Sequence, residues 1–437
     1  MKRRLLPILM TLVLVCALPI WAAFVTSGDV TNPLVCTADA TSSEESAVEK
    51  LKLAISNGGT VQLTEDIEIS ETLVVTRDVT LDLNGCTLRM TGTGSVLKVS
   101  GRATLTITDS SAAKSGTITG GNAGDGGGVC VEAYATLEMT GGCITGCRAE
   151  DGGGVYIDNN ATLKMTGGCI TDCHASYGGG IFSYENLYMS GTAKIEKCTL
   201  NGGSDDAIWN AEGVIYADGG TVDGTVNNQG TITRSNGTNA NAATVFNKTV
   251  YMRGSKYTKR CIEAGTYNGT VENTGSITGG TFYGTVRNQK NSMGLNITGS
   301  VTGGTFYGPI VNEVGPGQVT GGTFAVRFDT GDGTKPEPTL VPWNGKVPRP
   351  TSDPEKSGHT FIDWYLGDAL YDFNTPVTAP LTLMARWEKV PSSGGYYYAP
   401  PAEQPIEAPK TADPGVALYA ALSLLSLTGL TCATKKR

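Results

Sequence analysis

The sequence predicts an all-β chain: a solenoid of short parallel strands, then a smaller β-rich module, with an apolar helix at either end. Three observations predict it. Gly126-Gly127-Gly128-Val129 recurs as Gly152-Gly153-Gly154-Val155 and again as Gly178-Gly179-Gly180-Ile181, a step of 26 residues each time. Ala135-Thr-Leu-Glu-Met-Thr-Gly-Gly-Cys-Ile-Thr-Gly-Cys147 matches Ala161-Thr-Leu-Lys-Met-Thr-Gly-Gly-Cys-Ile-Thr-Asp-Cys173 at the same offset, so register is kept across a whole unit. The 59 glycines of 437 residues are roughly twice average usage and fall in recurring patterns, which marks turns. A unit this short cannot bury its own apolar face, so successive units must stack.

The elements follow in chain order. Lys2, Arg3 and Arg4 precede an apolar run from Leu5 to Ile20, and Ala22 and Ala23 follow. A basic start, an apolar stretch and a small-residue exit describe a secretory signal peptide over 1–23. A helix is expected over 42–58: Ser42-x-x-Glu45 has the form of a capping box, Val48, Leu51 and Ile55 share one face, and Asn57-Gly58 ends it. Such a helix can cover the open edge of the first coil.

The solenoid is expected over 59–324. In the triple-glycine units, Val129 and Val131, then Leu137 and Met139, then Ile144 point inward by alternation. Farther on the unit shortens: Gly265-Thr-Tyr-Asn-Gly-Thr-Val-Glu-Asn273 is echoed by Gly280-Thr-Phe-Tyr-Gly-Thr-Val-Arg-Asn288 and Gly304-Thr-Phe-Tyr-Gly-Pro-Ile-Val-Asn312. Either the solenoid narrows here or a second one packs on the first. These coils resemble those of the right-handed parallel β-helix (pectin-lyase-like) family, which includes bacterial adhesins.

From Val326 the pattern changes. Gly358-His-Thr-Phe-Ile-Asp-Trp-Tyr365, Tyr371-Asp-Phe373 and Leu381-Thr-Leu-Met-Ala-Arg-Trp387 closely resemble the Listeria–Bacteroides (internalin B-type) repeat. The resemblance implies a small, β-grasp-like surface module over 325–389. A proline-rich spacer over 390–414 follows, and 416–434 carries no charge before Lys435, Lys436 and Arg437. Nineteen helical residues span roughly 28 Å, close to a bilayer's apolar thickness, and the basic tail stops the span on the cytoplasmic side. A transmembrane anchor is therefore expected over 415–437. Before it stands Ala408-Pro409-Lys410-Thr411-Ala412. The order resembles the sorting signal of Gram-positive surface proteins, with Ala408 in place of the usual Leu and Ala412 in place of the commoner Gly. It implies sortase cleavage after Thr411 and linkage to peptidoglycan.

The full chain is formally −8, and without Lys2, Arg3 and Arg4 of the signal and without 412–437 it reaches −13. Such an exterior has no electrostatic reason to bind nucleic acid or anionic lipid. Nine of eleven cysteines lie outside the two targeting segments. Cys147 and Cys173 face each other across one coil step, within disulfide range. A disulfide and a ladder of buried thiols are both open there, while unbridged thiols are expected elsewhere. No Cys-x-x-Cys pair occurs, so no metal site is expected, and no cofactor is either.

The two histidines, His174 and His359, lie in different domains and offer no Ser-His-Asp set. Asp125 and Asp151 share a repeat position as turn residues, and Glu138 with Lys164 makes a cross-coil charge pair. No catalytic residues are assigned. Tyr283 and Tyr307 recur on the face opposite Phe282 and Phe306, where they stack either on a ligand's sugar rings or on each other. The reading is an adhesin-like display protein that binds a host or microbial glycan or surface protein. A surface-anchored β-helix polysaccharide lyase or glycoside hydrolase is the alternative.

Overall fold

The computed structural model describes residues 34–35, 46–235, 243–253, 260–289, 299–313, 318–334 and 336–391. The signal peptide, the sorting-like motif Pro409, Lys410, Thr411 and Ala412, and the expected anchor all lie outside the described residues. Among the described residues no helix is long and apolar enough to cross a membrane.

One coil shows how the repeat becomes structure. Strands Asn122–Asp125, Val129–Val131, Thr136–Met139 and Cys143–Thr145 follow one another around it. Each runs parallel to the strand one coil on, with Asn122 opposite Arg148, Val129 opposite Val155, Thr136 opposite Thr162 and Cys143 opposite Cys169. The pairing offset is the repeat length, so like side chains stack on like. The glycine corners stack as expected: the amides of Gly126, Gly127 and Gly128 donate to the carbonyls of Asp151, Gly152 and Gly153. They must be glycine for space as well as conformation. A Cβ on Gly153 would sit 2.5 Å from the carbonyl oxygens of both Gly179 and His174.

The coils form three ladders. An eleven-stranded sheet runs from Leu73–Val75 to Ile310–Asn312, a four-stranded one from Asn122–Asp125 to Thr199–Leu200, and the largest carries the remaining faces. The short units continue the same ladder, Ile208 to Val226 to Val250 to Val271 to Val286 to Ile310. The solenoid therefore narrows, and among the described residues no second one packs on it. Inside, aliphatic rows give way to an aromatic stack: Phe246, Tyr267, Phe282 and Phe306 are separated by 5.0, 4.8 and 4.7 Å. Tyr267 satisfies its buried hydroxyl by donating to the Ala264 carbonyl at 2.7 Å.

The helix is Ala47–Asn57, shorter than expected. Ser42 and Glu45 lie outside the described residues, and the cap is Ser46, whose hydroxyl accepts from the Glu49 amide. Ser46-x-x-Glu49 repeats the Ser-x-x-Glu pattern four residues on, next to the apolar face, and there the first-turn donors are met. Leu51, Ala54 and Ile55 bury against the first coil. Its strand Gly59–Gln62 also takes Leu34–Val35 as a parallel neighbour.

At the far end, strand Thr323–Asp329 belongs to both domains. Thr323 and Phe324 complete the ladder on Thr305 and Phe306, whereas Val326 to Asp329 pair in parallel with Leu381 to Met384 of strand Leu381–Lys389. Thr339–Pro342 adds antiparallel on its other edge, Pro342 opposite Thr323. The hairpin of His359–Leu366 and Ala369–Leu370 joins through Leu381–Lys389. Trp364 is the centre of this module, edge-on to Phe328 at 4.8 Å and to Phe361 at 5.4 Å.

Candidate binding surface

Tyr283 and Tyr307 lie on the outside, as alternation requires, since Phe282 and Phe306 are fully buried. Tyr283 is half exposed, and the two rings stack at 4.7 Å with 14° between their planes. The stack runs along the solenoid axis, so it offers ring edges and hydroxyls outward and spends one face of each ring on the other. One coil earlier the register places Asn268 beside Tyr283, and the Asn268 amide donates to Asn247 at 2.9 Å. On the other side Arg327 donates to the Tyr307 carbonyl at 2.9 Å. The surface is thus a row of amides, phenols and a guanidinium, rich in hydrogen-bonding groups and rigid in spacing.

The remaining singled-out residues are structural. Lys164 binds Glu138 across one coil step at 2.9 Å. His174 shares a hydrogen bond of 2.6 Å with Thr199 and pairs in register with Arg148, while His359 bonds the Ser357 carbonyl. Asp206 is buried by its surroundings, which raises its carboxyl above the ordinary range. It accepts from the Gly178 amide at 2.6 Å and Asn227 at 2.9 Å. Among the described residues no three His, Cys, Asp or Glu side chains could hold a metal ion together.

The cysteines require a correction. The disulfide joins Cys143 to Cys169, not Cys147 to Cys173. Cys143 and Cys169 sit opposite each other in directly paired strands, both pointing outward, with Cα atoms 4.6 Å apart. Cys147 and Cys173 lie inward past a turn and join Cys198 in a ladder. Each thiol there donates to the carbonyl two residues before it, at 3.4, 3.3 and 3.3 Å. One repeated local hydrogen bond thus holds all three in the same orientation.

Two features were missed from the sequence or seen there only in part, as tyrosines recurring in the glycine-rich coils. Asparagines form side-chain ladders, Asn210 on buried Asn228, and buried Asn273 on buried Asn288 on exposed Asn312; the recurrent Asn ending each short unit was the available signal. The second is an aromatic patch on the eleven-stranded sheet, where Tyr156 and Phe182 stack at 5.7 Å and Tyr177 meets Trp209 edge-on at 5.0 Å.

Residues 324–386 match the Listeria-Bacteroides repeat domain. No curated protein and no solved structure matches the chain. The match spans the five-stranded module and places the chain among surface-associated, extracellular proteins. It leaves the solenoid, the larger part of the described chain, without a counterpart.

Proposed function

We propose that this is an adhesin-like display protein of a Gram-positive cell surface. Its exterior is a β-helix of the right-handed, pectin-lyase-like kind, and a β-grasp-like module joins it to the cell. The signal peptide exports it, and the anchor over 415–437 retains it in the membrane until a sortase cuts after Thr411 and links it to peptidoglycan. It binds a host or microbial glycan or surface protein through Tyr283 and Tyr307. The observation that supports this reading is the outward row from Asn247 through Asn268 to the stacked tyrosines, held in register on a surface-type chain. Edges, hydroxyls and amides aligned at coil spacing suit hydrogen bonding to an extended polymer.

The test is binding of the exported chain to glycan and mucin arrays, with a product assay alongside. Tyr283→Ala with Tyr307→Ala weakens attachment and leaves the fold intact. Unaltered binding removes the tyrosine site, and detectable depolymerisation of a polysaccharide hands the case to a lyase or hydrolase. Thr411→Ala keeps the protein in the membrane and off the wall; wall linkage that persists in this variant ends the sortase reading.

A further inference from the structure

The outward face of the eleven-stranded sheet carries a second surface of different chemistry. Register aligns Lys98, Cys130, Tyr156, Phe182 and Trp209 in one row along the axis, one side chain per coil. Tyr184 packs edge-on against Phe182 at 5.1 Å, and Tyr177 against Trp209 at 5.0 Å, so a trio of rings over the buried Phe182 and a neighbouring pair follow one another along the row. Tyr177 is about half exposed. Cys130 is short beside Tyr156, so the row steps down next to that ring.

Carboxylates border the step on both sides. Asp125 and Asp151 pair in register along one margin and lead to Tyr177 in the third coil. Glu132 and Asp158 stack along the other, their amides donating to Val99 and Val131. With Glu150, five carboxylates stand here against Lys98 and Arg148, and Lys98 is already bound to Glu132 at 2.5 Å. Asp151 Oδ1 is covered and has no hydrogen-bond partner. Burial, then the charges of Glu150 and Asp158, hold the Asp125 carboxyl above its ordinary range. The Tyr156 phenol is raised by burial, then by Asp158 and Asp125. Five carboxylates against two cations leave the aromatic step net negative.

We propose that this face, from Cys130 to Trp209, binds a glycan carrying protonated amines, an amino-sugar polymer. A cation beside an aromatic ring and between carboxylates is favoured by both. An amino-sugar unit holds its ammonium rigidly next to an apolar ring face, and the protein places carboxylate next to ring within one coil step. A lysine-rich peptide carries the same charge on a flexible stem that must be ordered on binding. The chemistry differs from the row of amides, phenols and a guanidinium at Tyr283 and Tyr307 and is independent of it.

The experiment titrates the full chain with a glucosamine hexamer, its N-acetylated counterpart and hexalysine. The free-amine glycan binds, the acetylated one binds at least tenfold more weakly, and Asp125→Asn with Asp158→Asn raises Kd roughly tenfold, as loss of two partly exposed charge contacts implies. Tyr177→Ser weakens binding with an unchanged melting temperature, which separates ligand loss from unfolding. Tyr283→Ala with Tyr307→Ala leaves this binding unchanged. Equal affinity for the acetylated glycan, equal affinity for hexalysine, no effect of the Asp variants, or loss in the Tyr283/Tyr307 variant each overturns the proposal.

Discussion

Asn288 donates its side-chain amide to Asn312 at 2.8 Å and accepts from Asn273 at the same distance. Asn273 and Asn288 are fully buried, and Asn312 ends the ladder in solvent. Position in the ladder therefore sets the penalty for breaking it. Asn288→Ala leaves a buried donor and a buried space, and destabilises by about 2 kcal/mol. Asn312→Ala frees the Asn288 amide at the exposed end, where water can take the place of the lost acceptor, and loses less than about 1 kcal/mol. Urea unfolding followed by circular dichroism measures both, and equal losses contradict the ladder.

Glycine positions separate in the same way. A Cβ on Gly153 meets backbone oxygens that belong to the ladder and cannot turn aside, whereas one on Gly124 meets nothing within 4 Å. Gly153→Ala destabilises by about 3 kcal/mol, and Gly124→Ala stays within about 0.5 kcal/mol of the parent. Paired melting curves decide it.

Among the described cysteines, peptide mapping without reductant finds Cys143 linked to Cys169. Cys147, Cys173 and Cys198 react with a thiol reagent only after unfolding, because all three are buried. Cys130 is partly open but slow, since burial pushes its thiol up to about 11 and the thiolate is the reactive form. Replacing Cys143 and Cys169 by serine removes a cross-link over 26 residues, for which chain entropy predicts a loss of about 3 kcal/mol. A native Cys147–Cys173 link overturns this assignment.

Two sets of carboxylates give opposite pH signatures. Asp151 is held above its ordinary range by burial, then by Asp125 and Glu150. A raised carboxyl binds its proton more tightly folded than unfolded, so its contribution falls as pH rises from the unfolded value toward the folded one. Asp151→Asn therefore raises the melting temperature at pH 7, and the gain disappears below about pH 3. Burial also pushes Asp109 upward, but donors from Ser111, Gly116 and Gly85 outweigh it and hold the carboxyl low. Asp109→Asn is destabilising at pH 7, and its penalty shrinks as pH falls through the lowered value. A shift of the same sign for both variants at pH 7 contradicts the assignment.

The coil was legible because side-chain stacking in a parallel ladder demands that the pairing offset equal the sequence period. What was not legible lay where that period breaks. Phe182 and Trp209 pair 27 positions apart, one more than the repeat, because the chain turns through Asn201 to Ser204 first. A fixed-offset comparison keeps Tyr156 on Phe182, 26 positions apart, but loses the step to Trp209. At Cys147 the sequence left a disulfide and a buried thiol both open, since Gly146 at φ 64° interrupts the alternation that Ile144 sets. Tyr283 and Tyr307 were placed outward correctly, but whether their rings meet each other or a ligand depends on ring orientation, which no spacing encodes.

Strand Thr323–Asp329 leaves the solenoid and lies parallel to Leu381–Lys389, whose far end leads to the linker. A pull applied between the solenoid and Lys389 draws these two neighbours lengthwise past each other. Their cross-strand hydrogen bonds then carry the load together instead of opening one by one. The junction is a shear clamp against a pull between the solenoid and Lys389.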